Sequence, residues 1–122
     1  MSDRLVVLDA SALLALLQAE PGAARVATLL PDAAVSAVNL SEVVAKLAEH
    51  GMPAAAIRTA LEGLNLGIHD FDEHAAVEAG LLRPSTKALG LSLGDRACLA
   101  LARELGLPAV TTERVWASAN VG

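Results

Sequence analysis

Residues 5–8 read Leu-Val-Val-Leu, and the next residue is an acid, Asp9. An uninterrupted apolar run so short and so rich in Val suits a strand buried on both faces. Such strands belong to parallel sheets, where helices cover both sides. Three further segments, 33–37, 66–71 and 108–112, read as short strands, and helical patterns separate them. Strands alternating with helices predict an α/β fold: a three-layer α/β/α sandwich around a short central parallel sheet.

The helical segments have identifiable limits. Residues 11–18 carry Leu13, Leu14, Leu16 and Leu17 on one broad face, and Pro21 suits the first turn of a second helix to about residue 30. Asn39 or Ser41 is the predicted cap of a third helix, which presents Leu40, Val43, Val44, Leu47 and Ala48 and stops at Gly51. A fourth covers 53–64. Asp72 caps a fifth, 73–82, which Pro84 ends or kinks. A glycine-bounded loop at 90–94 leads to Asp95, which is predicted to open an apolar helix over 96–105 ending at Gly106. A last helical turn or two is predicted over 113–118. No repeat, low-complexity tract or linker interrupts residues 1–122, so one domain is expected.

Apolar residues make up 54% of the 122, enough for a core, and charged residues only 19%. Aromatic side chains are Phe71 and Trp116, so the core is expected to be Leu, Val and Ala. Cys98 is the only cysteine, which excludes an intrachain disulfide and suits a reducing compartment. The longest early uncharged stretch, 10–19, is half a membrane span, and no signal-peptide pattern precedes it. A soluble, cytoplasmic protein is expected. The net charge of −5 argues against a broad basic surface for nucleic acid. Any such site has to be local or work through bound cations.

In open parallel sheets, ligands bind beyond the carboxyl ends of the strands. Four acids fall on that edge: Asp9 after the first strand, Glu42 in the first turn after the second, Asp95 before the helix leading to the fourth, and Glu113 after the fourth. Each singly also reads as a helix-terminal acid accepting backbone N–H groups. Together they read better as a cluster. Carboxylates a few ångströms apart raise one another's pKa, and a divalent cation removes that conflict. Oxygen-only ligands suit Mg²⁺ or Mn²⁺ rather than zinc. Such ions bind phosphate oxygens and activate water, which reconciles an acidic pocket with a phosphodiester substrate.

Four stretches carry a family resemblance: VVLDASALLALL at 6–17, SAVNLSEVVAKL at 36–47, LGLSLGDRACLALARELGLP at 89–108 and VTTERVW at 110–116. In these the sequence resembles a PIN-domain nuclease, specifically the VapC-type toxin of bacterial toxin–antitoxin pairs. The resemblance implies a Mg²⁺- or Mn²⁺-dependent endoribonuclease with Asp9, Glu42 and Asp95 as its first three acids. Glu113 stands where the family usually has Asp, one methylene longer. Ser11 and Thr111 match hydroxyls able to orient carboxylates or water, and both also read as ordinary cap and strand-end residues. The resemblance further implies an RNA substrate, a homodimer, and a cognate antitoxin whose basic side chain approaches Asp9 and Asp95. Arg83, Lys87, Arg96 and Arg114 are candidates for RNA phosphates, or else solvated surface charge.

Two other functions remain open. One is a catalytically impaired RNA- or protein-binding module of the same fold. The other is a phosphatase or dehalogenase using Asp9 as nucleophile, although Ser11 stands where the phosphatase pattern has a second Asp. His50, His69 and His74 show no ligand or triad spacing, and no P-loop or dinucleotide fingerprint is present.

Overall fold

The computed structural model describes residues 4–112. Its four strands are β1 (Val6–Leu8), β2 (Ala33–Ser36), β3 (Gly67–His69) and β4 (Ala109–Val110). The seven helices are α1 (Ala10–Leu17), α2 (Ala23–Leu29), α3 (Ala37–Glu49), α4 (Ala54–Glu62), α5 (Glu73–Leu81), α6 (Arg83–Thr86) and α7 (Leu93–Leu105). No described helix is long and apolar enough to cross a membrane.

The sheet order is β3-β2-β1-β4, and every described pairing is parallel. Successive side chains of a strand point to opposite faces, and the core divides accordingly. Val6, Leu8, Ala33 and Val35 pack with α1 to α4, through Leu13, Val26, Val43, Leu47 and Ile57. Val7 and Ala34 face the other way, onto Ala79 of α5 and Cys98 to Ala102 of α7. Both faces of β1 and β2 are therefore covered, which is why their sequences are apolar without alternation. The expected three-layer α/β/α sandwich is the one found.

Several boundaries differ from expectation. β3 and β4 are shorter than their sequence segments. Helix α3 starts at Ala37, not after Asn39 or Ser41, because β2 runs straight into it and Ser36 is the cap, accepting from Val38 N at 3.2 Å. Glu42 consequently lies in the second turn, not the first. Helix α7 starts at Leu93, and its cap is Ser92. Asp95 is already inside it. Pro21 lies outside α2, whose cap is Gly22 at φ +97°, a left-handed conformation that favours glycine. Asp72 does cap α5, accepting from Ala75 N at 2.9 Å, and Pro84 stands in the first turn of the short α6. The helix expected over 113–118 lies outside the described residues.

The chain moves from β1 outward through β2 to β3, then returns to place β4 on the other side of β1. The carboxyl ends of β1 and β4 thus flank the point where the strand order reverses, where α/β sheets place ligands.

Candidate active site

Asp9 leaves β1 at that reversal point. Its backbone N–H continues the ladder to Val110 O at 3.2 Å, and its side chain turns to cap α1. Oδ1 accepts from Ala12 N at 2.8 Å. The Ser11 hydroxyl lies 2.8 and 2.9 Å from the two carboxylate oxygens, and Thr111, just past β4, donates to Oδ2 at 2.5 Å. Ser11 Oγ also accepts from Thr112 N at 3.1 Å and lies 3.0 Å from Thr111 Oγ1. The Asp9 residue is only 2% exposed. Burial pushes its carboxyl above the ordinary aspartate range despite the Thr111, Ala12 and Ser11 hydrogen bonds, and the Asp95 charge adds to the push.

Glu42 and Asp95 come from two helices that pack together, α3 and α7. Glu42 Oε1 accepts from Asn39 Nδ2 at 3.0 Å. The same Asn39 nitrogen lies 3.0 Å from the Gly94 carbonyl, a bond that ties α3 to the first turn of α7. The Glu42 carboxylate rests directly over Gly94, where a Cβ would collide with it. Partial burial raises the Glu42 pKa, Asn39 lowers it, and the charges of Asp95 and Asp9 raise it again. Asp95 belongs to a reciprocal cap: Ser92 N donates to Asp95 Oδ2 at 2.9 Å, and Asp95 N donates to Ser92 Oγ at 3.2 Å. The helix-terminal reading of Asp95 therefore holds for one of its oxygens. The other has no hydrogen bond among the described residues.

The Asp95 charge thus reaches both Asp9 and Glu42, the Asp9 charge reaches Glu42, and none of the three acids is in an ion pair with a described residue. The one ion pair among the described residues is His74–Glu104 at 4.0 Å, on exposed side chains. As the side chains stand, no three His, Cys, Asp or Glu residues among those described are gathered into a ready set of ligands. What the described residues offer there is a group of oxygen donors with no described counter-charge.

The remaining candidates scatter. Arg83 and Lys87 are exposed. Arg96 does not point freely to solvent: its Nη1 donates to Ala79 O at 3.1 Å, fastening α7 to α5. Glu113 and Arg114 lie outside the described residues. Cys98 is a core residue, as expected. Burial, followed by the charges of Asp9, Asp95 and Glu42, pushes its thiol up and keeps it protonated. Of the histidines, His50 Nδ1 meets Gln18 Nε2 at 2.8 Å and His74 forms the ion pair above.

Sequence reasoning missed Asn39 and Gly94. Asn39 read as a cap, yet it is the third residue of α3, past the Ser36 cap and 1% exposed. An Asn three residues before a candidate acid on one helix was the available signal, since Asn is a poor helix former that asks for a side-chain reason.

The PIN domain family model matches residues 6–121 of the chain. No curated protein is a significant match in sequence. Among solved structures, a toxin–antitoxin complex from Klebsiella pneumoniae is similar at TM-score 0.72 and 20% identity, over 93% of this chain and 91% of that one. The sarcin–ricin loop cleaving toxin VapC20 of Mycobacterium tuberculosis reaches TM-score 0.77 at 18% identity, over 94% and 95%. FitAcB from Neisseria gonorrhoeae gives TM-score 0.64 at 22% identity, over 89% and 88%. At such identities the likeness speaks for the fold alone.

Proposed function

Since this chain belongs to the PIN domain family, we propose that it is a divalent-metal-dependent endoribonuclease, the toxin of a toxin–antitoxin pair. One observation carries the reading. Asp9 follows β1 where the strand order reverses, and Glu42 and Asp95 come from α3 and α7; burial raises the Asp9 and Glu42 pKa values, the Asp95 charge adds to both, and no described ion pair offsets them. A protein gains nothing in stability from that arrangement, so a ligand is its natural explanation.

The residues fit a hard cation such as Mg²⁺ or Mn²⁺. The donors are all oxygen. Mg²⁺ keeps much of its water and takes one or two carboxylates plus substrate phosphate, so a closed protein cage is not required. Asp9, Asp95 and Glu42 would hold the ion, with Glu113 as a fourth acid. When bound, such an ion supplies positive charge for phosphate oxygens and acidifies nearby water. The protein's own part is orientation. Ser11, Thr111 and the Ala12 N–H fix the Asp9 carboxylate, Ser92 fixes one oxygen of Asp95, and Asn39 fixes Glu42.

Arg83 and Lys87 are exposed cations that we assign to RNA phosphates, and Arg114, which follows Glu113 directly in sequence, is a further candidate. An antitoxin partner is inferred from the family resemblance and from the Klebsiella complex of similar fold. Exposed Val77, Leu81 and Leu93 offer apolar area for that partner or for a second copy of the chain.

The test is cleavage of a panel of structured RNAs with Mg²⁺ or Mn²⁺. Asp9→Asn and Asp95→Asn are expected to lose at least about 100-fold in rate, the upper end of what losing even an outer-shell partner costs a metal site. Circular dichroism should show both variants folded. Undiminished cleavage by Asp9→Asn would end the assignment. A second reading, a binding module without catalysis, draws on the absence of a preassembled three-ligand set among the described residues. It requires RNA or protein binding with no divalent-ion affinity at all.

A further inference from the structure

Asn39 is buried to 1% exposure, and its Oδ1 has no hydrogen-bond partner among the described residues. A buried, unpaired carbonyl of this kind costs about 1–3 kcal/mol, so something must hold the amide in that orientation. Its Nδ2 supplies the reason. The nitrogen lies 3.0 Å from Glu42 Oε1 and 3.0 Å from Gly94 O, both acceptors. Turning the amide over would set an oxygen against two oxygens, which decides the assignment. Gly94 completes the arrangement, because only a residue without a side chain lets the Glu42 carboxylate lie on α7. Gly94 is the second residue of α7, and glycine is a poorer helix former than alanine. Two locally unfavourable residues, 55 positions apart, thus meet on one acid.

We propose that Asn39 and Gly94 are positioning residues which seat the Glu42 carboxylate against the first turn of α7, beside Asp95, so that two helices present one divalent-cation site. The inference rests on the metal-site reading above and adds to it the device that aligns the site. Neither residue is a ligand. Asn39 acts through Glu42, and Gly94 acts by leaving room.

The experiment measures Mn²⁺ affinity of the full chain by calorimetry and stability by urea titration, on the same samples. Asn39→Leu removes the amide but fills its space. Gly94 O keeps a helical partner within α7, so stability is expected to stay at or above wild type. Mn²⁺ affinity is expected to fall about tenfold, the scale of losing an outer-shell partner. Gly94→Ala is expected to weaken Mn²⁺ to a similar degree without loss of stability, since the movable group is the far end of Glu42. In a Glu42→Gln background, adding Asn39→Leu is expected to change the affinity no further, because its route has already been cut.

Unchanged Mn²⁺ affinity in both Asn39→Leu and Gly94→Ala overturns the inference while leaving the metal site standing. Additive losses in the double variant overturn it too, since Asn39 would then act independently of Glu42. If Asn39→Leu does not fold, the amide serves the core, and the positioning role is overturned for Asn39, leaving Gly94→Ala to decide the seat itself. Wild-type protein that binds no Mn²⁺ overturns both the inference and the reading beneath it, and is distinguished by failing before any variant is compared.

Discussion

Asp9 ends a strand, starts a helix and holds two hydroxyl groups, and asparagine could meet each of those structural demands. What asparagine lacks is the charge that burial disfavours. The folded state raises the Asp9 pKa, so between the unfolded and folded values the native chain binds the extra proton. Stability then falls as pH rises through that window. The penalty is absent below the unfolded value and complete above the folded one. Metal-free Asp9→Asn is therefore expected to be at least as stable as wild type at pH 7. Its advantage in urea midpoint is expected to shrink as the pH is lowered towards the ordinary aspartate range. A difference that stays constant across the titration would mean that the Asp9 charge is not what the fold disfavours. Glu42, exposed and raised in the same direction, is expected to contribute with the same sign.

At the level of elements, the caps decide where the acids point. Ser92 Oγ accepts from Asp95 N, whereas the Asp95 carboxylate is held by the backbone N–H of Ser92. Ser92→Ala breaks the first bond and keeps the second. It is expected to cost about 1 kcal/mol of stability, a typical cap loss, while RNA cleavage stays near wild type. A fall in cleavage matching that of Asp95→Asn would show that the hydroxyl has a role of its own at the site. The same boundaries mark how far the sequence could be read. Element order, both apolar faces of β1 and the Asp72 cap of α5 were legible, because local pattern encodes them. The starts of α3 and α7 were not. Ala37 and Val38 follow β2 without a turn residue, so strand and helix share one apolar run. Asp95 looked like a start because acids do gather there, and the real cap stands three residues earlier. Asp9, Glu42 and Asp95 were legible as acids near one edge, but the Asn39–Gly94 bond joins residues 55 apart. Only the packing of α3 on α7 brings them together.

On the scale of the whole molecule, a chain of net charge −5 folds so that the Asp95 charge, from a distant segment, acts on both Asp9 and Glu42. The unfolded chain scatters residues 9, 42 and 95 and has no comparable site. An ion bound by these acids therefore stabilises only the native state, by about 2.7 kcal/mol at a concentration one hundred times its Kd. Mn²⁺ is expected to raise the Tm of wild type, and EDTA to reverse the rise. The Asp9→Asn/Asp95→Asn double variant is expected to show no such response. An equal shift in both proteins would trace the effect to scattered surface carboxylates.

Ser11 and Thr111 stand 100 residues apart in the chain, yet their hydroxyls are 3.0 Å from each other and share one aspartate. Such a pair is expected to be kept or lost as a unit. In a library randomised at both codons and selected for cleavage, survivors should arise in matched combinations, with a hydroxyl lost on one side answered by a compensating donor on the other. Independent drift at the two codons would mean that the contact carries no selective weight.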